Sequence, residues 1–350
     1  MKVTRRTFVA GGTALTAIVL GNLPRRATAQ SREINLYSSR HYDTDERLYS
    51  SFSDNVNLIE AGAGELIERI RSEGASSPAD ILLTVDAGNL WVADRAGLFA
   101  PVNSSRLNRS IPESRRHRNG HWFGFSTRAR VIYYRKDQVD LPADFSYENL
   151  ADSEWRGRVL IRSSSNIYNK SLVASMLANH TEREVKEWVE GLKANFAREP
   201  QSNDTGQIKA CAAGEGDIAV ANTYYYARLL KAAAGGDAEA QDVVDKVDIF
   251  FPNQEGEHGR GTHVNISGGG VLANAPNRSA AIAFLEHLAS RDSQRWFAEG
   301  NNEYPVVDGV DESATLESMG AFKEDTETPI EVYGEYQQAA VRLMDQAGWA

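Results

Sequence analysis

The chain has 350 residues, with 48 acidic against 38 basic side chains, a net charge of −10 and a single cysteine, Cys211. A surface this acidic opposes nucleic acid and anionic lipid, whose contacts rest on Lys and Arg, but it does not oppose a cation. One cysteine excludes an internal disulfide and a thiolate metal cluster, so stability must come from packing, and a chain of this length exceeds one ordinary core.

Residues 1–29 read as an export signal: Lys2, Arg5 and Arg6 precede an apolar run from Phe8 to Leu20, and Ala27-Thr28-Ala29 forms a cleavage site. The run is shorter than the roughly 20 residues a bilayer span needs. Thr4-Arg5-Arg6-Thr7-Phe8 resembles a twin-arginine signal, which exports folded proteins; an ordinary secretory signal is the alternative. Cleavage after Ala29 removes five basic residues and no acid, taking the net charge from −10 to −15.

From there the pattern alternates. Ile34 to Tyr37 reads as a strand, Ser38 to Tyr42 as a polar loop, and Asp43 or Thr44 as the cap of a helix through Leu48 and Phe52. Val56 to Ile59 reads as a strand, Gly62 to Glu65 as a turn into a helix ending at Glu73, Asp80 to Val85 as a buried strand, and Gly88 to Leu98 as a helix. Such alternation argues a parallel α/β sheet. Trp122 to Tyr134 has strand character and is taken as the first crossing between two lobes. Tyr147 to Trp155 reads as helical, Val159 to Ile161 as a strand, and the residues after Tyr168 as a helix. Thr181 and Glu184 form a capping box ahead of Val185, Trp188, Leu192 and Phe196, an amphipathic core helix. Asp217 to Ala221 is a strand, Tyr224 to Ala234 a helix closed by Gly235-Gly236, Val247 to Pro252 the return crossing, and Ala280 to Ala289 a helix.

Tyr42, Tyr168 and the pair Tyr224-Tyr225 each stand between a strand and a helix, and such junctions gather at one edge of a sheet. Asn222 and Thr223 suit an N-cap, which puts Tyr224 and Tyr225 in the first helical turn, about 100° apart, where long phenols can meet. The helix N-terminus favours negative charge, and a bound cation favours phenolate over phenol, whose ordinary pKa is near 10. Converging phenols with His41 beside Tyr42 suit a hard trivalent metal, with iron(III) first; His41 is a borderline nitrogen ligand that leaves iron(II) open. Tyr37, Tyr49, Tyr133, Tyr134 and Tyr226 read as packing residues.

These residues sit in segments that resemble a family. "NLYSSRHYDTD", "IRSSSNIYNKSLVASML", "AAGEGDIAVANTYYYARL", "GTHVNISGGGVL" and "VYGEYQQAAVRLMDQAGW" are similar to the periplasmic ferric-iron-binding proteins of ABC importers, in the cyanobacterial FutA-type branch. The resemblance implies a type II periplasmic-binding-protein fold, two lobes of mixed sheet flanked by helices with the ligand cleft between them. The lobes are expected at 30–126 and 251–300 for one and 127–250 for the other, with 301–350 as C-terminal helices mainly on the second. It also implies a monomeric periplasmic carrier, not an enzyme, that delivers iron to an inner-membrane permease. By motif match Tyr42, Tyr168, Tyr224 and Tyr225 are the phenolate ligands, and His41 is a ligand or a neighbour of the metal. The carboxylate ligand of some branches has no clear match; Glu60 and Glu65 lie in its region but outside any motif.

Other motifs carry less. His258 and His263 match no common zinc spacing and read as part of a Gly-rich loop. Ser267 lacks the first glycine of a nucleophile elbow, and Arg128 and Arg130, beside the supposed hinge, read as salt-bridging residues. Two other functions remain: a binding protein for a small organic or oxyanion ligand in an aromatic cage, and a secreted metalloenzyme, for which the chain supplies no convincing general base.

Overall fold

The structure is a computed structural model that describes residues 33–40, 42–201 and 203–349. The expected export signal and His41 lie outside the described residues. Among those described, no helix is long and apolar enough to cross a membrane.

Among the described residues nine strands form the frame: β1 (Glu33–Ser38), β2 (Asn55–Glu60), β3 (Ile81–Thr84), β4 (Phe123–Arg135), β5 (Val159–Leu160), β6 (Ile218–Asn222), β7 (Val247–Phe250), β8 (Val264–Val271) and β9 (Tyr304–Pro305). The first three run parallel in the order β2-β1-β3, joined by the helices Glu46–Ser50 and Ala63–Glu73. All of β3 is buried, as a continuous apolar run covered on both faces requires. The sheet then turns mixed, because β8 pairs antiparallel with β3 and β4 with β8.

β4 ties the halves together. Its first part, to Ala129, pairs with β8, with a register shift between Gly124 and Ser126; from Arg130 it pairs with β6 and β7. β5 lies parallel to β6 and closes the second half, so each lobe is a mixed sheet flanked by helices. Each half carries an apolar cluster on either face. Leu36, Phe123 and Phe284 mark one, Leu82, Leu90 and Trp122 its opposite; Val131, Ala219 and Tyr226 mark the third, Ile132, Leu172 and Trp188 the fourth. Each large side chain so buried contributes roughly 1.5–3 kcal/mol.

The C-terminal residues divide between these clusters. Leu343, Met344 and Trp349 join Leu172 and Leu192, while Ile330 and Tyr333 pack with Leu82 and Leu90.

Two expectations are overturned. The glycines read as a loop belong to β8, a central strand: a Cβ at Gly268 would meet the Phe123 carbonyl at 2.5 Å, one at Gly269 the Leu82 carbonyl at 2.5 Å, and one at Gly270 the His121 carbonyl. Glycine here reports close backbone approach. Residues 147–155 form no continuous helix but two 3-10 turns, Glu148–Ala151 and Ser153–Trp155, with Asp152 extended between them at φ −65°, ψ 141°. The Asn195 amide donates to the carbonyls of Leu150 and Asp152, taking acceptors that a helix would have used. The capping box at Thr181 and Glu184 forms as read.

Candidate metal centre

Tyr42 has extended backbone (φ −109°, ψ 115°) directly ahead of the 3-10 turn Asp43–Asp45. Tyr168 is the second residue of the helix Ile167–Asn179, whose cap Asn166 accepts the Tyr168 N–H at 3.1 Å. Tyr224 and Tyr225 are the second and third residues of the helix Thr223–Ala234. These separate segments meet. The Tyr224 hydroxyl donates to the Tyr168 hydroxyl at 3.0 Å, the Tyr42 and Tyr224 rings lie edge to face at 6.1 Å, and the Tyr224 and Tyr225 rings lie 4.2 Å apart. Tyr224 is buried and the other three are half-buried. Two helix N-termini therefore face one group of phenols, a field that favours their ionised form.

In the absence of a cation Tyr42, Tyr168 and Tyr224 hold their protons. Burial, joined by the nearby Tyr225, pushes Tyr168 up to about 12, against the pull of Arg128. Burial raises Tyr224 well above the ordinary phenol range, with Tyr168 and Tyr42 adding to it. Tyr42 rises well above it too, through burial, Glu303 and Tyr168. The exposed guanidinium of Arg228, one turn after Tyr224, sits 5.3, 5.2 and 5.8 Å from the ring centres of Tyr42, Tyr224 and Tyr225. One positive group thus covers three electron-rich faces, a cation–π arrangement.

Residues 55–325 match the model of the family described as bacterial extracellular solute-binding protein. The chain belongs to that family. Within these solute-binding proteins it is of the FutA type. Iron uptake protein A2 of Synechocystis is 61% identical over 99% of both chains, and iron uptake protein A1 of the same organism is 48% identical over 99% of both. The solved structure of apo FutA2 from Synechocystis matches with a TM-score of 0.86 at 59% identity, covering 92% of this chain and 100% of that one. Trichodesmium IdiA (FutA), in complex with iron and citrate ligands, matches at 0.84 and 54% identity, over 91% and 100%. The fold is thus the two-lobed one, with its ligand cleft between the lobes.

Behind the phenols of this solute-binding protein lie buried arginines that no local motif announces. Arg40 bridges Asp45 at 2.7 Å and Glu303 at 3.0 Å, and Glu303 also accepts from Ser126 and Ser267. Arg130 bridges Asp204 at 3.2 Å and donates to Asn222 at 3.0 Å and Asn169 at 2.6 Å. Asn222 is the helix cap expected before Tyr224, but its side chain serves Arg130 and does not cap. Arg128 donates to the Val85 carbonyl and approaches Asp86 at 3.8 Å. Asp86 in turn accepts from Ser171 at 2.9 Å and Asn265 at 2.8 Å, joining the Tyr168 helix to the first sheet. Arg128 and Arg130 are thus buried ion-pairing residues.

The remaining candidates fall away from the cluster. Glu60 and Glu65 are exposed; Glu60 lines an acidic groove of about 720 Å³ with Asp43, Glu46 and Asp54 that opens beside Tyr42. Tyr37, Tyr49, Tyr133 and Tyr226 are buried, with hydroxyls bound to Glu73, Asp45, the Asn222 carbonyl and the Val247 carbonyl. His263 is buried against Tyr333, and His258 lies beside Glu148 and His180. Arg228 had a legible signal, its i+4 spacing from Tyr224. Arg40 and Glu303 had none, being 263 residues apart.

Proposed function

We propose that this chain is an extracytoplasmic iron(III)-binding protein that holds iron between its lobes through Tyr42, Tyr168, Tyr224 and Tyr225, with His41 as a ligand or neighbour. It then delivers the ion to an ABC permease in the inner membrane. The observation that carries this reading is the meeting of Tyr42, Tyr168 and Tyr224-Tyr225, three separate segments, at hydroxyl-to-hydroxyl and ring-contact distance. Phenolates are hard anionic oxygens, and three of them offset the charge of one ferric ion. The relatives' names support iron as the cargo, since they are called iron uptake proteins and one structure holds iron and citrate.

In this reading residues 30–126 and 251–300 form one lobe and 127–250 the other, and residues 301–350, expected mainly on the second, pack on both. The protein acts as a monomeric carrier, not an enzyme. It reaches the periplasm by the signal at residues 1–29, of twin-arginine type. An organic or oxyanion cargo is not favoured by those names. Iron(II) is bound more weakly, because the phenols stay protonated and His41 is the ligand best suited to it.

Mixing the iron-free protein with a weakly chelated ferric salt is expected to give a visible phenolate-to-iron charge-transfer band, reduced in Tyr224→Phe and in Tyr225→Phe. A colourless mixture would sink the proposal. Because each phenol must lose its proton to bind, ferric affinity is expected to fall about tenfold per pH unit for each proton released, titrated below pH 7.

A further inference from the structure

Away from the phenols, one group of side chains has the composition of a metal site. Asp94 lies in the last turn of the helix Ala87–Arg95, and His117 and His121 come from the tight turn leading into β4. The Gly120 N–H donates to the His117 carbonyl at 2.9 Å and the His117 N–H to the Trp122 carbonyl at 3.0 Å; Gly120, at φ +70°, supplies the reversal. That turn stacks the two imidazoles, with centres 4.5 Å apart and planes 21° apart. Both face one carboxylate: His121 Nδ1 is 2.5 Å from Asp94 Oδ1, and His117 Nε2 is 3.7 Å from Asp94 Oδ2. One ligand atom from each residue lies within 4.8 Å of the others, and the side chains are 12%, 26% and 18% exposed for His117, His121 and Asp94. A small ion can reach the site from solvent.

We infer that Asp94, His117 and His121 form a second cation site, selective for imidazole-preferring divalent ions such as Zn2+ and separate from the phenol cluster. Two imidazoles and one carboxylate are a three-ligand zinc set that leaves the fourth position to water. Small movements suffice: ligand atoms about 2.0–2.2 Å from zinc sit a little over 3 Å from one another. His117 Nδ1 accepts only a long contact from the Asn119 N–H, 3.3 Å, which yields when the ring proton moves to Nδ1 and Nε2 turns to the metal. Arg118 opposes a cation here, while Glu331 and the C-terminal end of the helix favour one.

The second cluster of this kind, Glu148 with His180 and His258, fits worse. There Arg260 already holds the Glu148 carboxylate at 2.7 Å, a cation in the place a metal would take. Separation from the phenols follows from the helix itself. Asp86 caps its first turn at the contact between the halves, and Asp94 is eight residues further on, about 12 Å along the axis. The two sites also divide metals by chemistry, hard oxygen donors for a trivalent ion and borderline nitrogen for a divalent one.

The test is a calorimetric titration of the full chain with zinc chloride in a non-chelating buffer. His117→Ala, His121→Ala and Asp94→Asn are each expected to weaken zinc binding by about 10–100-fold, while Tyr225→Phe and His180→Ala leave it unchanged. The ferric charge-transfer band is expected to survive in His121→Ala. Zinc bound as tightly by His117→Ala and His121→Ala as by the wild type, loss of zinc in Tyr225→Phe or His180→Ala, or a wild-type protein that takes up no zinc would each overturn the assignment.

Discussion

The two sides of the phenol cluster are built on opposite charge. Behind Tyr42, one arginine, Arg40, faces two carboxylates, Asp45 and Glu303, all buried. Around Tyr168, three guanidinium groups, from Arg128, Arg130 and Arg162, stand 5.4, 6.0 and 5.9 Å from the ring centre, and Asp204 is the carboxylate that Arg130 and Arg162 share. The phenols respond. Tyr168 is pushed up only to about 12, whereas Tyr42, with Glu303 adding to its burial, goes well above the ordinary range. Burial is the first cause at both rings, and the charge behind each modifies it, Glu303 raising Tyr42 and Arg128 lowering Tyr168. Tyr168 is the phenol prepared to meet a cation, and Tyr42 the one that yields its proton once the cation is present.

The largest effect is expected where this positive side is balanced. Asp204 accepts from Arg130 and from the Asn222 N–H at the start of the Tyr224 helix. Asp204→Ala would leave Arg130 buried without its carboxylate, which costs about 3–5 kcal/mol. Urea unfolding should report that loss, and a variant as stable as the wild type would mean that the Asn169 and Asn222 amides are compensation enough.

The comparison also marks what a sequence can disclose. The first-turn placement of Tyr224 and Tyr225 was legible because local chemistry writes it: a strand of small apolar residues, then Asn, then a helix-forming run. Each phenol's position follows from its neighbours in the chain. The charges behind the phenols were not legible, because Arg40 meets Glu303 and Arg130 meets Asp204 only through tertiary packing. The helix Asp204–Ala212 escaped notice for a related reason: it is buried over much of its surface, so Gln207, Ile208, Ala210 and Cys211 show no apolar stripe. The glycines of β8 misled in the opposite direction. Their composition is that of a loop, and only the carbonyls of Phe123 and Leu82 pressing on them explain why a central strand carries them.

Between the two sides, Asp86 sharpens the same point about charge. It bonds Ser171 from one half and Asn265 and the Gly88 N–H from the other, yet burial pushes its carboxyl up to about 6, with Arg128 pulling it down only in part. A raised carboxyl pKa means that the folded state prefers the protonated form. The stability this group adds is complete below the ordinary value of 3.8 and is lost as pH rises through about 6. Across that window the wild type should lose about 3 kcal/mol relative to Asp86→Asn, which cannot titrate. Urea unfolding of both proteins at acidic and neutral pH measures the difference. Parallel stability curves would show that Arg128, Ser171 and Asn265 neutralise the buried charge fully.

The smallest expected effect tests the comparison most directly. Tyr168→Phe and Tyr42→Phe each remove one phenolate from the same cluster, so ligand count alone predicts equal losses of ferric affinity. The charge behind each ring predicts otherwise. Deprotonating Tyr42 costs more, so its net contribution to binding is smaller. Ferric affinity measured by competition with a chelator at neutral pH is therefore expected to fall further in Tyr168→Phe than in Tyr42→Phe. That gap should hold through the neutral range, because below both pKa values the two proton costs shrink in step as pH rises. Equal losses at every pH would mean that the ferric ion's own field overrides Arg128, Arg130 and Glu303, and that the asymmetry of the two sides serves the fold and not the metal.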